Sequence, residues 1–197
     1  MDFAECSTSP VCHAQNYNPE RLAVLYNAMT LLSEVNLNGR LETQIGNLLR
    51  ERKLTLALAE SCTGGLVSDR VTNVPGSSEY FLGGIVAYAY AAKVSLLNVS
   101  RETLNNFGAV SRETVLEMAR GARTVLNADI AASISGIAGP GGGTDSKPVG
   151  TVWLALAASD GEWAREFHFS GNREQIKAAS ADAALQLILD YLNDVTL

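Results

Sequence analysis

The chain has 197 residues, of which 47% are hydrophobic and 18% are charged, and its formal net charge at pH 7 is −6. This length and apolar content indicate one globular domain with its own core, preceded by an extension, and exclude a largely disordered chain. No segment carries a cluster of lysine and arginine, so the electrostatic footprint of a nucleic-acid binder is missing. A small anionic substrate can still bind through one or two well-placed cations.

The cysteine content and the lack of long apolar runs indicate the compartment. Three cysteines are an odd and sparse set, which argues against a disulfide framework and favours a reducing compartment. The longest apolar stretch near the N-terminus, residues 22–32, falls short of the roughly 18 residues that a membrane span requires. Residues 1–20 lack the pattern of a signal peptide. We therefore expect a cytoplasmic protein without membrane contact.

The first 38 residues are predicted to be an extension outside the main domain, which spans 39–197. Residues 1–18 are polar and are expected to form a loose arm. A short helix is predicted from about 19 to 36, where Leu22, Leu25, Met29 and Leu32 recur at helical spacing. A second amphipathic helix is predicted to begin at Leu41 and to end near residue 53.

Strands and helices alternate in the rest of the chain. The predicted order is a strand at 54–59, a helix at 64–72, a strand at 84–90, a helix at 91–97, a helix after Ser111, a strand at 130–135, a hairpin of 149–157 and 163–169, and a long helix from about Asn172. Ser100 and Ser111 are predicted helix caps, and Asn172 with Gln175 fits a capping box. This pattern predicts an α/β fold, a three-layer α/β/α sandwich on a mixed sheet.

A candidate nucleophile lies where the first predicted strand ends. Residues 59–65 read Ala-Glu-Ser-Cys-Thr-Gly-Gly, which places Ser61 and Cys62 in a turn before a glycine-opened helix. A serine there projects its hydroxyl away from the sheet, and the unpaired N–H groups of the helix can face an oxyanion or a phosphate. Two alternatives stay open: Ser61 as a helix cap only, and Cys62 as the nucleophile through a thiolate activated at the helix N-terminus.

The sequence offers few bases for a serine nucleophile. The two histidines lie in the N-terminal arm and in a predicted strand, so a Ser-His-Asp triad is poorly supplied. Lys93 is the remaining candidate, because its small apolar neighbours could desolvate its amine. Free lysine has a pKa near 10.4, so a base at neutral pH needs this pKa lowered by roughly 2 to 3 through burial. The alternative is a surface lysine that opens a helix.

A glycine-rich segment and an arginine indicate an anion or oxyanion site. Residues 135–143 read Ser-Gly-Ile-Ala-Gly-Pro-Gly-Gly-Gly and match neither a Walker loop nor the dinucleotide fingerprint. Their glycines allow close backbone approach and free N–H donors. Arg173 is predicted at the start of a helix, where the macrodipole disfavours a positive charge. Its position is explained either by a bound anion or by surface exposure, which makes the cost small. Cys6, Cys12 and His13 lack the spacing of a zinc site, so no metal is expected.

Several motifs, taken together and in order, resemble one known family. They are AESCTGG at 59–65, PGSSEYFLGGIVAY at 75–88, Lys93, GAVS at 108–111, SGIAGPGGG at 135–143 and KPVGTVW at 147–153. This set resembles the C-terminal domain family of the competence/damage-inducible protein CinA, from about Gly39 to Leu192, with residues 1–38 outside the match. That family includes stand-alone nicotinamide-nucleotide amidases.

The resemblance implies hydrolysis of the carboxamide of nicotinamide mononucleotide to nicotinate mononucleotide and ammonia, without metal or cofactor. It implies Ser61 as the nucleophile, neutral Lys93 as the base that takes its proton, and the Tyr88 hydroxyl as a relay or orienter. The backbone of residues 62–64 is expected to hold the oxyanion, and Arg173 with the glycine loop the 5′-phosphate. The implied substrate-binding residues are Cys62, Thr63, Gly64, Ser135, Gly136, Gly139, Gly141 and Arg173.

Three positions depart from the usual family pattern. Ala89 and Tyr90 stand where serine and asparagine usually follow the tyrosine, and Asn172 replaces the aspartate of a Gly-Asp-Arg motif. A lost hydrogen bond at 89 or a bulkier ring at 90 could alter substrate fit. The alternative expectation is therefore a catalytically inactive nucleotide-binding module. The resemblance and the apolar surplus also suggest a homodimer or a larger homo-oligomer.

Overall fold

A computed structural model describes residues 39–195, so the arm and the helix predicted within residues 1–38 lie outside the described residues. The elements are α1 (Leu41–Arg52), β1 (Leu56–Glu60), α2 (Leu66–Thr72), β2 (Phe81–Val86), α3 (Tyr90–Leu97), α4 (Arg101–Phe107), α5 (Arg112–Val125), β3 (Ile130–Gly136), β4 (Thr151–Ala157), β5 (Glu162–His168) and α6 (Arg173–Leu192). A single 3-10 turn at Ser77–Glu79 precedes β2. None of the described helices combines the length and apolar content that crossing a membrane requires.

The five strands form one mixed sheet in the order β2-β1-β3-β4-β5. β1 pairs in parallel with both β2 and β3, whereas β3, β4 and β5 follow one another as antiparallel neighbours. The predicted hairpin is therefore β4 and β5. Because β1, β2 and β3 run the same way, their carboxyl ends meet at one edge of the sheet, where open α/β sheets bind ligands.

Helices cover both faces of the sheet, which confirms the predicted three-layer sandwich. Every residue of β1 is buried, as expected for a strand covered on two sides. Its leucines, Leu56 and Leu58, pack in a core with residues of α1, α2 and α6. Its alanines, Ala57 and Ala59, pack on the other face in a core with residues of α3, α4 and α5. The alternation of large and small residues thus assigns one helical layer to each face.

Several boundaries differ by a few residues from the sequence prediction, and two of these differences lie beside the carboxyl edge. The helix predicted from Gly64 begins at Leu66, because Gly64 and Gly65 have φ of 64° and 98° and cannot belong to a right-handed helix. The strand predicted at 84–90 ends at Val86, and residues 87–89 leave the sheet before α3 begins. Both changes create turns at this edge.

The predicted helix caps are present. Ser100 Oγ accepts a hydrogen bond from the N–H of Glu102 at 3.1 Å, and Ser111 Oγ accepts one from Thr114 at 3.2 Å. Asn172 and Gln175 form the reciprocal capping box at 3.0 and 2.9 Å. This box fixes the first residue of α6 as Arg173, at the carboxyl edge of the sheet.

Candidate active site

Ser61 lies directly after β1, in the turn that leads to α2. Its N–H donates to the carbonyl oxygen of Ile134 at 2.9 Å, so the turn is held against β3. The residue is 7% exposed, and its hydroxyl points towards α3 and the turn that follows β2. The parallel strand order therefore brings the turn after β1, held on β3, together with the segment that follows β2.

Lys93 provides the partner of this hydroxyl. Its Nζ lies 2.9 Å from Ser61 Oγ, although the two residues are 32 positions apart in the chain. Lys93 is 0% exposed, which excludes the alternative of a surface lysine. The same Nζ donates to the carbonyl oxygens of Ala87 at 2.6 Å and of Tyr88 at 3.3 Å, both in the turn after β2.

Burial sets the protonation of Lys93. Removal of the amine from water lowers the pKa of Lys93 to about 8, since no carboxylate pairs with it among residues 39–195. A neutral amine has two N–H groups and one lone pair. When the N–H groups donate to the carbonyls of Ala87 and Tyr88, the lone pair is left for the Ser61 O–H. The geometry is that of a general base beside a nucleophile.

Cys62 is poorly suited to be the nucleophile. It is 5% exposed and packs in the core with α1, α2 and α6. Burial raises the pKa of its thiol to about 11. A thiol with such a pKa carries almost no thiolate at neutral pH, so the site favours Ser61 over Cys62.

Glu60 organises the turn, and the sequence analysis did not single it out. Its carboxylate is fully buried and accepts hydrogen bonds from the N–H groups of Gly65 at 2.9 Å, Val67 at 3.2 Å and Ser68 at 2.8 Å, and from the Ser68 hydroxyl at 2.7 Å. Gly65, the N-cap residue of α2, has no side chain to do this. An acidic residue at the end of a buried strand was the available signal.

The turn leaves two backbone N–H groups for a substrate. The N–H of Gly64 donates to the carbonyl of Ser61 at 3.1 Å and that of Gly65 donates to Glu60, so Gly64 does not supply the donor that was expected of it. The N–H groups of Cys62 and Thr63 donate to no backbone oxygen within the described part of the chain, and the group that lies near them is the Cys62 sulfur, a weak acceptor. The Thr63 side chain is buried, and its Oγ1 is likewise without a partner there. Cys62 and Thr63 are therefore the candidate oxyanion donors.

Arg173 joins two segments that border the site. Its Nη2 donates to the Tyr88 hydroxyl at 2.9 Å, and its Nη1 donates to the Gly139 carbonyl at 2.7 Å. The Tyr88 ring is 60% exposed and its hydroxyl is bonded to Arg173, whereas only the Tyr88 carbonyl contacts Lys93. The structure therefore places Tyr88 at the mouth of the site, and the expected link from its hydroxyl to Lys93 is not formed.

The glycine-rich segment after β3 is packed against the sheet at its start and exposed further along. The buried Ser135 hydroxyl donates to the carbonyl of Ala109 at 2.7 Å. A side chain at Gly136 would collide with β4, with its Cβ 2.9 Å from the Thr151 carbonyl oxygen, so this glycine is required by the sheet. Gly139 holds Arg173 through its carbonyl. Gly141 is exposed, and a Cβ there would meet no atom within 4 Å, so the backbone is open to a ligand at this point.

Tyr90, one of the departures from the family pattern, supports the segment 107–110. Its hydroxyl accepts a hydrogen bond from the N–H of Ala109 at 3.2 Å. Lys147 holds the same segment by donating to the carbonyls of Phe107 at 2.8 Å and Val110 at 2.7 Å. The larger ring at position 90 is thus half-exposed and hydrogen-bonded at its hydroxyl.

In residues 39–195 there is no group of three or more side chains suited to hold a metal ion.

Fold and site together define an α/β/α sandwich protein with a buried serine–lysine pair at the carboxyl edge of its parallel strands. The family model described as the CinA C-terminal domain matches residues 38–192. The chain belongs to this family, as its motifs had suggested.

Individual relatives agree with this assignment. The chain is 51% identical over 145 residues to a CinA-like protein of Geotalea uraniireducens, covering 74% of this chain and 34% of that protein. It is 47% identical over 155 residues to a CinA-like protein of Thermotoga neapolitana, covering 79% and 38%. The chain therefore matches only about a third of the length of these curated relatives.

Solved structures resemble the chain over most of their own length. A CinA superfamily protein from Klebsiella pneumoniae superposes with a TM-score of 0.76 at 35% identity, covering 78% of this chain and 96% of that one. A competence/damage-inducible protein from Agrobacterium tumefaciens gives a TM-score of 0.70 at 42% identity, covering 76% and 96%. The fold is thus that of the CinA superfamily.

Proposed function

We propose that the chain is a nicotinamide-nucleotide amidase, which hydrolyses the carboxamide of nicotinamide mononucleotide to nicotinate mononucleotide and ammonia. The observation that carries this proposal is the 2.9 Å contact between Ser61 Oγ and the buried Nζ of Lys93. A buried amine with a pKa near 8 can accept the serine proton near neutral pH. The proposed substrate class is the one implied by the resemblance of the motifs to the CinA family.

In the acylation step, neutral Lys93 takes the proton of Ser61 while Oγ attacks the amide carbon. The carbonyl oxygen gains negative charge, and the N–H groups of Cys62 and Thr63 are the donors placed to hold it, each worth on the order of 3 kcal/mol. The Lys93 ammonium then returns its proton to the amide nitrogen. The C–N bond breaks, ammonia leaves, and an ester to Ser61 remains.

In the deacylation step, water attacks the ester carbon as Lys93 again accepts a proton. The C–Oγ bond breaks, Ser61 Oγ recovers a proton from Lys93, and nicotinate mononucleotide is released. Tyr88 offers an exposed ring face at the mouth of the site, which suits the cationic pyridinium of the substrate. Arg173 lies beside it with N–H groups to spare for the phosphate.

Ammonia release from nicotinamide mononucleotide by the purified chain tests the proposal. We expect Ser61→Ala to lower kcat by at least about a thousandfold, because the attacking oxygen is removed. Cys62→Ala is the matched control in the same turn: the thiol it removes is protonated, and the backbone N–H assigned to the oxyanion is kept, so we expect kcat within about threefold of wild type.

Two outcomes would contradict this function. Equal ammonia release by wild type and Ser61→Ala would show that another group carries the reaction. No release by wild type, with nicotinamide mononucleotide still bound, would instead support the inactive nucleotide-binding module. Binding is measured by calorimetry on the same preparations.

A further inference from the structure

We propose that Lys177 binds the phosphate of the substrate together with Arg173, and that this pair makes the site select the nucleotide over the unphosphorylated nucleoside. The inference rests on the proposed function for the identity of the substrate. Nothing in the sequence analysis pointed to Lys177, which lies within the long helix α6.

The first observation is the position of Lys177. It follows Arg173 by four residues, so both side chains leave the same side of α6 at its first turns. A Cβ added to Gly64 would lie 3.8 Å from Lys177 Nζ, so the ammonium lies beside the exposed backbone of the nucleophile turn. Arg173 reaches Tyr88 and Gly139 from the same helix end.

The second observation is that both cations lack a counter-ion in the part of the chain that the structure describes. Neither Lys177 nor Arg173 forms an ion pair within residues 39–195. Lys177 also makes no side-chain hydrogen bond there, whereas Arg173 uses two of its five N–H groups on uncharged oxygens. The nearby carboxylate of Glu60 is occupied by four donors of its own turn. The positive charges of Lys177 and Arg173 are therefore available to a ligand.

The third step concerns the distance between the Lys177 ammonium and Ser61. Gly64 N–H donates to the Ser61 carbonyl at 3.1 Å, and a turn closed in this way brings its end Cα atoms within about 7 Å. Lys177 Nζ therefore lies at most about 12 Å from the Cα of Ser61. A mononucleotide spans that interval when its carboxamide is at Ser61. The phosphate would then lie between Lys177 and Arg173.

The experiment compares nicotinamide mononucleotide with nicotinamide riboside, which lacks the phosphate. We expect Lys177→Gln to raise KM for the nucleotide by about 10- to 100-fold with little change in kcat, and to leave kcat/KM for the riboside unchanged. We expect Lys177→Arg to recover most of the loss, since guanidinium also binds phosphate.

Lys53→Gln is the control for the change in net charge. Lys53 is exposed at the end of α1, before β1 begins, and so lies at the opposite edge of the sheet from Ser61. We expect this variant to behave as wild type. An equal loss on both substrates by Lys177→Gln, or no loss at all, would overturn the proposal.

Calorimetric titration with inorganic phosphate and with nicotinamide mononucleotide separates this inference from the amidase proposal. If wild type releases no ammonia, weaker binding of both ligands by Lys177→Gln than by Lys53→Gln still supports the phosphate site. Equal dissociation constants for the two variants would refute the phosphate site even if the amidase activity is present.

Discussion

Lys93 combines complete burial with three oxygen neighbours. Burial lowers the pKa of Lys93 to about 8, and the carbonyls of Ala87 and Tyr88 accept hydrogen bonds from its Nζ. A substantial fraction of the amine is therefore neutral just above pH 7. The same two carbonyls then fix its orientation, because a neutral amine can donate to both and still accept from Ser61.

The pH dependence of kcat follows from this arrangement. Below a pH of about 8 the ammonium predominates and cannot accept the Ser61 proton, so we expect kcat to fall by about tenfold per pH unit below pH 7. Above pH 9 we expect a plateau. The rate is measured from pH 6 to 10, with Lys93→Met as an inactive control. A profile that is flat from pH 6.5 to 9 would contradict the role of Lys93 as base.

The residues of the site differ in how well the sequence alone predicts them. Ser61 was predictable because its turn follows a buried strand and opens with glycines, and Lys93 was the base left over after the histidines were set aside. Glu60 was missed because its role depends on how the turn folds back, which gives its carboxylate four donors. Lys177 was missed because its neighbour, Gly64, is more than a hundred positions away and no local pattern links them.

At the scale of elements, β1, the turn and α2 form one unit held by the Glu60 carboxylate. α2 has only seven residues, too few to be stable alone, and its N-cap glycine offers no side-chain acceptor. Glu60 satisfies three N–H groups at its start. The left-handed Gly64 and Gly65 allow the chain to turn over that carboxylate. The position of Ser61 therefore depends on an acceptor one residue before it.

Replacing Glu60 with glutamine tests this dependence. The amide has one acceptor oxygen, and its NH2 would face N–H donors, so we expect about 2 kcal/mol lower stability to urea and a kcat lowered by about tenfold or more. KM should change less than kcat, because the Glu60 carboxylate hydrogen-bonds only to its own turn and contacts neither Arg173 nor Lys177. Glu51→Gln, at an exposed site in α1, is the control. A variant with lowered stability but unchanged kcat would show that Glu60 is structural only.

The bounds of the strands are one feature that sequence patterns alone do not determine. The apolar run at 84–90 suggested one strand, but β2 begins at Phe81 because its pairing with β1 fixes the register from Leu56 onwards. Residues 87–89 then become a turn, and the turn carries the carbonyls that hold Lys93. Such shifts depend on which strands pair with each other. Hydrophobic periodicity carries no information about strand pairing.

At the scale of the whole molecule, the strand order assembles the site. The α/β class and the mixed sheet were predictable from alternating strands and helices, but the order β2-β1-β3 was not. That order puts the ends of three parallel strands side by side, so that Ser61 and Lys93 meet from distant segments. The chain is acidic overall, with a net charge of −6, yet the cations at this edge lack carboxylate partners within the described residues. An anion would be drawn to this edge and not to the surface at large.

The extension of residues 1–38 provides the last test. Every hydrogen bond of the site described above joins residues within 39–195. We therefore expect a chain of residues 39–197 to release ammonia with a kcat within about twofold of the full chain. Size-exclusion chromatography of both forms shows whether either assembles into the proposed homo-oligomer. A truncated chain that is folded by circular dichroism but inactive would show that the extension supplies a group or an assembly that the site needs.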